Sequence, residues 1–320
     1  MKKGIGHILP SSEAIFVDRG VTKANQLLEN WNGEDASRFG LVGLPLSKTS
    51  ISASGAAGAP TTIRKALSAF TTYAIEDEID LSPRMVTDFG DVSMHVTNLV
   101  ECHQRIERSV AELYRLYPDI IPILLGGDHS ISCPSLKAFA QARGRVGVIQ
   151  FDAHHDLRNL EDGGPSNGTP FRGLLEAESI KGEDLIQIGI RNFSNGMVYH
   201  QYAQEQGVKV WTMKDIQHNR IEDIIAESVK SLENKVDSIY ISVDMDVLDQ
   251  AFAPGCPAIG PGGMDSQTLL SAIYTLAQHP KVHGMDIVEI DPSLDVRDMT
   301  SRVAAHVILQ FLLGKAKAGN

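Results

Sequence analysis

The hydrophobic positions of the chain fall into short, β-branched runs separated by longer stretches in which apolar residues recur at intervals of three and four. Short continuous apolar runs are typical of strands buried on both faces, and the longer spacing is typical of amphipathic helices. Their alternation predicts an α/β protein with a doubly wound, mostly parallel sheet and helices on both faces. The eight predicted strands are residues 39–45, 84–90, 120–126, 145–152, 185–190, 208–213, 237–244 and 282–290.

Helices and loops fill the gaps between these strands. Three long stretches rich in Gly, Ser and Pro occur at residues 46–60, 162–168 and 253–265. Because predicted strands lie on both sides of each stretch, we interpret them as loops, which at that length are uncommon unless functional. We therefore expect residues 1–320 to form a single domain, on which residues 1–35 pack as an N-terminal extension. The main predicted helices span residues 97–116, 132–142, 221–233, 266–278 and 301–314.

The composition narrows the class of protein. The 320 residues carry a formal charge of −11 and offer no Lys/Arg stripe, which argues against nucleic acids and anionic membranes as partners. No apolar run approaches the roughly 18 residues that a spanning helix needs, and no signal-peptide core is visible. Cys102, Cys133 and Cys256 lie far apart and form no CxxC pair, so they predict neither a disulfide framework nor a zinc ribbon. We expect a soluble, cytoplasmic protein.

Candidate metal ligands follow two of the predicted strands in pairs and triplets. In an extended chain, alternate side chains point the same way, so Asp152, His154 and Asp156 of FDAHHD are expected to converge. The run SIYISVDMDVLD ends its apolar part with Asp244 and Asp246, again two positions apart. These two strand ends therefore offer five side chains of the kind that bind metals.

A third strand end contributes one more histidine. The run IIPILL leads into GGDHS, where Gly126 and Gly127 permit a tight turn before His129. All three clusters lie at the carboxyl ends of predicted parallel strands, where open α/β sheets build their sites. Four aspartates and two histidines exceed the ligand set of one tetrahedral zinc and favour harder ions such as manganese. Two cations bridged by carboxylates fit better, because so many acids could not otherwise stay ionised together.

These motifs resemble those of a known family. GGDHS, FDAHHD and SVDMDVLD are similar to the signature motifs of the ureohydrolase superfamily, which holds arginases, agmatinases, guanidinobutyrases and formimidoylglutamases. The resemblance extends to GAAGAPTTIRKAL, DFGDV (88–92) and DIVEIDP (286–292). It implies an arginase-like, three-layer α/β/α fold, a homo-oligomer, and two Mn²⁺ ions per subunit. The implied ligands are His129, Asp152, Asp156 and Asp244 for one ion, and Asp152, His154, Asp244 and Asp246 for the other, with Asp152 and Asp244 bridging.

The resemblance also implies a reaction. A pair of Mn²⁺ ions lowers the pKa of a shared water and holds the resulting hydroxide against an amidine-type carbon. Asp156 would then hydrogen-bond this nucleophile and pass its proton to the departing nitrogen. Glu289 would accept hydrogen bonds from the N–H groups of the cationic amidine.

The loop after FDAHHD points to a substrate. DLRNLEDGGPSNGTPFRG resembles the formimidoylglutamase branch: Arg158 stands two residues after Asp156, where arginases usually carry asparagine, and TPFR is typical of that branch. N-formimidoyl-L-glutamate has two carboxylates, which planar guanidinium groups bind bidentately. Many arginases and agmatinases have a histidine where Asn167 stands, and an asparagine cannot titrate. We expect Arg158, Asn167 and Arg172 to contact the substrate.

The sequence thus favours hydrolysis of N-formimidoyl-L-glutamate to L-glutamate and formamide, a late step of histidine degradation. The nearest alternative is an agmatinase, arginase or guanidinobutyrase that releases urea. A nucleotide-binding or regulatory α/β protein is a different class, and GIGHIL (4–9) does not support it because a third glycine and a preceding strand are missing. His155 faces away from His154 by alternation, so we expect no metal contact. Seven further histidines lie in no cluster of the sequence and are expected to be surface or core residues: His7, His95, His103, His200, His218, His283 and His306.

Overall fold

A nine-stranded sheet forms the centre of the molecule in the computed structural model, which describes residues 18–83 and 85–319. Its strand order is β1-β5-β2-β6-β11-β10-β7-β8-β9, and all neighbouring strands are parallel. A separate antiparallel pair is formed by β3 and β4. The strands are β1 (Leu28–Asn30), β2 (Phe39–Leu44), β3 (Tyr73–Ala74), β4 (Ile79–Asp80), β5 (Val86–Asp91), β6 (Ile121–Gly126), β7 (Val146–Phe151), β8 (Leu185–Ile190), β9 (Lys209–Thr212), β10 (Ser238–Asp244) and β11 (Val282–Val288).

All eight predicted strands lie in this sheet, so the predicted α/β fold is confirmed. The ninth strand, β1, pairs with β5 and forms one edge of the sheet. It has no apolar run, because Leu28 is half-buried while Glu29 and Asn30 are exposed. Of the expected N-terminal extension, residues 1–17 lie outside the described residues, as does GIGHIL (4–9); in the remainder, Ala24 and Leu27 are buried.

Helices cover both faces of the sheet, as a doubly wound sheet requires. One apolar core packs α1, α7, α8 and α9 against the sheet, and the other packs α2, α3, α4 and α5. The five main predicted helices are present. Within the described residues, no helix combines the length and apolar character needed to cross a membrane. The helices are α1 (Ala59–Ala66), α2 (Leu99–Leu116), α3 (Ser132–Arg143), α4 (Pro170–Glu176), α5 (Met197–Glu205), α6 (Met213–His218), α7 (Ile221–Leu232), α8 (Ser266–Ala277) and α9 (Met299–Lys317).

The strand order determines where the functional groups meet. The chain places β6 and β7 apart and later fills the gap between them with β10 and β11. These four central strands are almost entirely buried. Because they are parallel, their carboxyl ends lie side by side at one edge of the sheet. The segments that follow β6, β11, β10 and β7 therefore meet, although they are far apart in sequence.

Candidate metal centre

The six predicted metal ligands meet at this edge in two groups. In the first, Nδ1 of His129 lies 2.8 Å from Oδ2 of Asp156, 3.1 Å from Oδ2 of Asp244 and 3.2 Å from Oδ2 of Asp152. All four side chains are buried. In each group the potential ligand atoms lie within 4.8 Å of one another, which is the spacing that a shared cation needs.

The second group consists of Asp152, His154 and Asp246. Nδ1 of His154 lies 2.8 Å from Oδ2 of Asp246 and 3.5 Å from Oδ1 of Asp152. Asp152 therefore belongs to both groups, with one carboxylate oxygen toward each histidine. Asp244, expected to bridge as well, belongs to the first group, and its Oδ1 accepts a hydrogen bond from the backbone N–H of Asp246 at 2.8 Å.

The local backbone presents these side chains differently from the strand pattern used to predict them. Strand β7 ends at Phe151, so the FDAHHD ligands lie in an irregular loop rather than on one face of a strand. Asp156 has a φ of +52°, in the left-handed region that is uncommon for non-glycine residues. The predicted turn after β6 does require Gly127, because a Cβ there would lie 1.7 Å from the carbonyl oxygen of Leu46.

A hydrogen-bonded pair behind His129 orients its ring. The hydroxyl of Ser242 donates to Oδ1 of Asp286 at 2.7 Å, and Nε2 of His129 lies 3.0 Å from the same hydroxyl oxygen. Because the hydroxyl proton is engaged by Asp286, Ser242 accepts from Nε2–H of His129. Nδ1 then faces the three carboxylates, and it is buried with no hydrogen-bond partner among the described residues. Either a proton or a metal cation must lie between Nδ1 and these oxygens, so the donor set fits a metal ion.

The charges of the two groups are strongly coupled. Burial, together with the charges of Asp246 and Asp152, raises the pKa of Asp244 well above its usual value, and burial beside Asp152 raises the pKa of Asp156 to about 6. Asp152 is also buried, but the adjacent imidazoles of His129 and His154 lower its pKa.

Both histidines are shifted in the opposite sense to ordinary buried imidazoles. The charge of Asp246 and the hydrogen bonds to Asp152 and Asp246 outweigh burial and raise the pKa of His154 to about 12. Burial opposes a charge on His129, yet its three carboxylate partners raise its pKa well above 6.5. Protons thus stand in for positive charge at this site, and divalent cations suit four carboxylates and two imidazoles in the same role.

A cavity of about 240 Å³ opens above the second group. Its lining includes Glu289 and four members of the two metal-binding groups, His154, Asp156, Asp244 and Asp246. The walls come from the loops after β2, β7, β8 and β10. The remaining residues that line the cavity are Ile51, Ser52, His155, Leu157, Arg158, Asn167, Gly168, Ser194, Asn195, Gly196, Tyr199 and Ala258.

Glu289 presents one free carboxylate oxygen at this cavity. Directly after β11, it has a φ of +62°, and its Oε1 accepts from the backbone N–H of His129 at 2.9 Å and from Nδ2 of Asn167 at 3.1 Å. Its Oε2 is buried and has no hydrogen-bond partner among the described residues. Burial and the charge of Asp128 raise the pKa of Glu289 to about 8. A cationic N–H donor would satisfy Oε2 and favour the carboxylate form.

The three residues expected to contact a substrate differ in their positions. Arg158 is exposed at the cavity, with its guanidinium 5.9 Å from the ring centroid of Tyr199. Asn167 lines the cavity, but its Oδ1 accepts from the backbone N–H of Ile51 at 3.0 Å, so the protein itself uses much of its amide.

Arg172 does not reach the cavity. It lies on α4, pairs with Glu176 one turn later, and stacks on Tyr202 of α5 with its guanidinium 3.8 Å from the ring centroid. The expectation that two arginines enter the cleft is therefore corrected to one, because the side chain of Arg172 is directed toward α5.

The segment between β8 and α5, together with the first turn of α5, was not predicted to take part. Ser194, Asn195, Gly196 and Tyr199 line the cavity, but this stretch has no motif and little apolar pattern to reveal it. His155 lies outside the two metal-binding groups, and its Nδ1 lies 2.6 Å from Oε1 of Gln187. His200, which the sequence places in no cluster, lies beside it, with Nδ1 at 3.2 Å from Nε2 of His155.

Comparisons with known proteins agree with this architecture. Residues 37–314 match the Arginase family. The chain is 60% identical to a formimidoylglutamase of Halalkalibacterium halodurans over 96% of both chains. The crystal structure of formimidoylglutamase from Bacillus subtilis superposes with a TM-score of 0.93, at 50% identity and 96% coverage of both chains. A Trypanosoma cruzi formiminoglutamase solved with Mn²⁺ superposes with a TM-score of 0.79, at 25% identity, over 88% of this chain and 94% of that one.

Proposed function

The chain belongs to the arginase family, and we propose that it hydrolyses N-formimidoyl-L-glutamate to L-glutamate and formamide with two Mn²⁺ ions bound per subunit. The main support for this substrate is the 60% identity to a formimidoylglutamase over nearly the whole of both chains. The chain is thus an arginase-family hydrolase that acts on a C–N bond of a linear amidine. The presence of Mn²⁺ in the related trypanosomal structure supports the choice of metal.

The proposed ligands are the residues of the two groups. His129, Asp152, Asp156 and Asp244 would hold one ion, and Asp152, His154 and Asp246 the other, with Asp244 as a further bridge. Two adjacent divalent cations lower the pKa of water and offset negative charge in the transition state. Two observations support this assignment: Nδ1 of His129 has no hydrogen-bond partner within residues 18–83 and 85–319, and Asp152 belongs to both groups.

The surrounding residues would bind and orient the substrate. Oε2 of Glu289, which is buried and has no hydrogen-bond partner in the described part of the chain, would accept from the N–H groups of the formimidoyl cation. Asp156 would accept the proton of the attacking water and deliver it to the departing nitrogen. Arg158, at the exposed wall, would bind a substrate carboxylate. Asn167 would hold Glu289 in place beside the substrate.

Product identity tests this function. Purified protein would be treated with a chelator, reloaded with Mn²⁺, and offered formimidoylglutamate, arginine, agmatine and guanidinobutyrate in turn. We expect formamide and glutamate from the first substrate, no urea from the others, and loss of activity in the chelated protein. Urea release without formamide would overturn the substrate and favour the arginase, agmatinase or guanidinobutyrase alternative.

The cellular setting is part of the same proposal. We infer a role in histidine degradation, in which formimidoylglutamate is consumed, and a homo-oligomer in the cytoplasm. These statements, and the expectation of a small-molecule substrate without nucleic-acid or membrane partners, stay predictions. Free Cys102, Cys133 and Cys256 are compatible with a reducing compartment.

A further inference from the structure

A line of polar side chains runs from Asp152 to the surface of α5. It starts on the neighbouring strands β7 and β8, passes through the second histidine of FDAHHD, and ends in solvent. The register of the two strands pairs Gln150 directly with Gln187, which brings their side chains together. The members in order from Asp152 are Gln150, Gln187, His155, His200 and Gln204.

Every link of this line has hydrogen-bond distance. Nε2 of Gln150 lies 2.6 Å from Oδ2 of Asp152, and Nε2 of Gln187 lies 2.7 Å from Oε1 of Gln150. Nδ1 of His155 lies 2.6 Å from Oε1 of Gln187. Nε2 of His155 lies 3.2 Å from Nδ1 of His200, whose Nε2 lies 3.2 Å from Nε2 of Gln204.

The chemistry of the groups fixes the direction of every bond. A carboxylate only accepts, so Gln150 donates to Asp152 and its own amide oxygen must accept from Gln187. The amide oxygen of Gln187 can then only accept, which places a proton on Nδ1 of His155. In the neutral imidazole, Nε2 of His155 is left as an acceptor for Nδ1–H of His200.

The outermost hydrogen bond of the line, at the protein surface, has the same donor-to-acceptor direction as the others. Nε2 of His200 accepts from the amide of Gln204, so all five bonds donate toward Asp152. Gln150 and Gln187 are fully buried and His155 is 1% exposed. If the amide of Gln150 or Gln187 were reversed, or if His155 took the other tautomer, a buried donor would face a donor. Each group left unsatisfied in this way would cost about 1–3 kcal/mol.

This line restrains the carboxylate that the two metal-binding groups share. Oδ2 of Asp152 accepts from Gln150, and Oδ1 accepts from the backbone N–H of His154 at 2.6 Å. The carboxylate cannot rotate without breaking both bonds, and each oxygen keeps a lone pair for the group it faces. The segment that carries His200 is also tied to the loop: Asn195 accepts from the N–H of His155 at 2.8 Å and donates to the carbonyl of Ala153 at 2.9 Å.

We propose that this one-directional line of hydrogen bonds is a positioning device that sets the orientation of Asp152 for both metal ions, with Gln187 and His155 as positioning residues. It gives the second histidine of FDAHHD a function without metal contact. It also joins the metal centre to α5, whose Tyr199 lines the substrate cavity. This inference rests on the proposed metal site.

Substitution of Gln187 by methionine tests the device. Methionine has a similar volume and no amide, so Gln187→Met interrupts the line while filling the space. We expect Mn²⁺ binding, measured by calorimetry or by competition with a chelator, to weaken by about 10–100-fold, as is typical when a partner of a metal ligand is removed. Gln278→Met is the matched control, because Gln278 donates to the carbonyl of Tyr274 on α8 and, among the described residues, hydrogen-bonds no member of the line.

A pair of variants at His155 tests the direction. An asparagine carries an N–H near the position of Nδ1, so His155→Asn should keep the bond to Gln187 and hold Mn²⁺ within about twofold to threefold of the wild type. His155→Leu cannot donate and should weaken Mn²⁺ binding as Gln187→Met does. The comparison of His155→Asn with His155→Leu tests the positioning role even if Gln187→Met does not fold.

The outcomes separate the two proposals. Folded Gln187→Met or His155→Leu protein that binds Mn²⁺ as tightly as the wild type would overturn the positioning device and leave the proposed function intact. A wild-type protein that binds no Mn²⁺ would overturn the proposed function, and this inference with it. A purely structural role for these residues would change the free energy of unfolding without moving the Mn²⁺ affinity of the folded protein.

Discussion

Nδ2 of Asn167 donates to Oε1 of Glu289 at 3.1 Å, and this bond joins the loop after FDAHHD to the end of β11. The other end of the same amide accepts from the backbone N–H of Ile51 at 3.0 Å, so one side chain links three segments around the cavity. Asn167 therefore orients the carboxylate proposed to bind the formimidoyl cation and leaves the second oxygen of Glu289 free.

Replacing Asn167 by aspartate should impair catalysis. Asn167→Asp removes the N–H that donates to Glu289 and places a second carboxylate beside it. A hydrogen bond to a charged group contributes about 1.5–3 kcal/mol, which is the size of the interaction lost. We expect kcat/KM to fall by about 10–100-fold, measured with formimidoylglutamate. Asn219→Asp is the control, since Asn219 is exposed and bonds only the carbonyl of Asp215 among the described residues. An unchanged kcat/KM in Asn167→Asp would contradict the role given to this bond.

Arg158 and Arg172 offer a matched test of carboxylate recognition. Arg158 lines the cavity, whereas Arg172 pairs with Glu176 and stacks on Tyr202. We expect Arg158→Ala to raise KM for formimidoylglutamate by about tenfold or more, with a smaller change in kcat, and Arg172→Ala to leave KM near the wild-type value.

Steady-state kinetics on the two arginine variants would check this, with Asp244→Ala as the reference for loss of the metal centre. Asp244→Ala should reduce activity by far more than either, because it removes a buried carboxylate from the first metal-binding group. Equal increases of KM in the two arginine variants would show that position at the cavity does not decide substrate binding.

Much of the fold was predictable because its central strands are buried on both faces and carry unbroken apolar runs. Strand β1 was not, since Glu29 and Asn30 are exposed and the strand is held by backbone pairing with β5. Helices α5 and α6 bury only Ala203 between them, so neither has the periodic apolar face that reveals a helix.

The candidate metal ligands could be identified from the sequence because the motifs directly follow parallel strands, and strand ends meet at one sheet edge. The cavity walls could not. Tyr199 and Asn195 arrive through the packing of α5, which no local pattern specifies. Arg172 was misjudged because closeness to Asp156 along the chain does not determine the direction of a side chain at the start of a helix.

The metal-free protein should lose stability as the pH rises from about 6.5 to about 8. The pKa of Glu289 rises from 4.5 to about 8 on folding, so its stabilising contribution is complete below about 4.5 and is lost as the pH rises through 8. The pKa of His154 rises from 6.5 to about 12, so its contribution is also lost upward from about 6.5. Each group should contribute on the order of 1 kcal/mol per pH unit.

Chemical denaturation of the chelated protein at several pH values in this range would check the prediction. Glu289→Gln cannot titrate, so its stability should fall less steeply than that of the wild type. A free energy of unfolding that is constant, or that increases with pH, would contradict the raised pKa values of these two residues.

Binding of Mn²⁺ should release protons from the two histidines. The three nearby carboxylates raise the pKa of His129 well above 6.5 and the charge of Asp246 raises that of His154 to about 12, so folding of the metal-free protein favours the protonated form of both. A metal ion binds the neutral imidazole, so each ion must displace a proton. We expect about one proton or more per Mn²⁺, obtained from calorimetric titrations in two buffers of different ionisation enthalpy. The apparent affinity should rise between pH 6 and pH 8.

His218 offers an internal contrast, since it is exposed and belongs to neither metal-binding group, so His218→Ala should release the same number of protons as the wild type. Binding without proton release would mean that both histidines are already neutral in the metal-free protein. A positive charge other than a histidine proton would then have to offset the repulsion between the carboxylates around Nδ1 of His129.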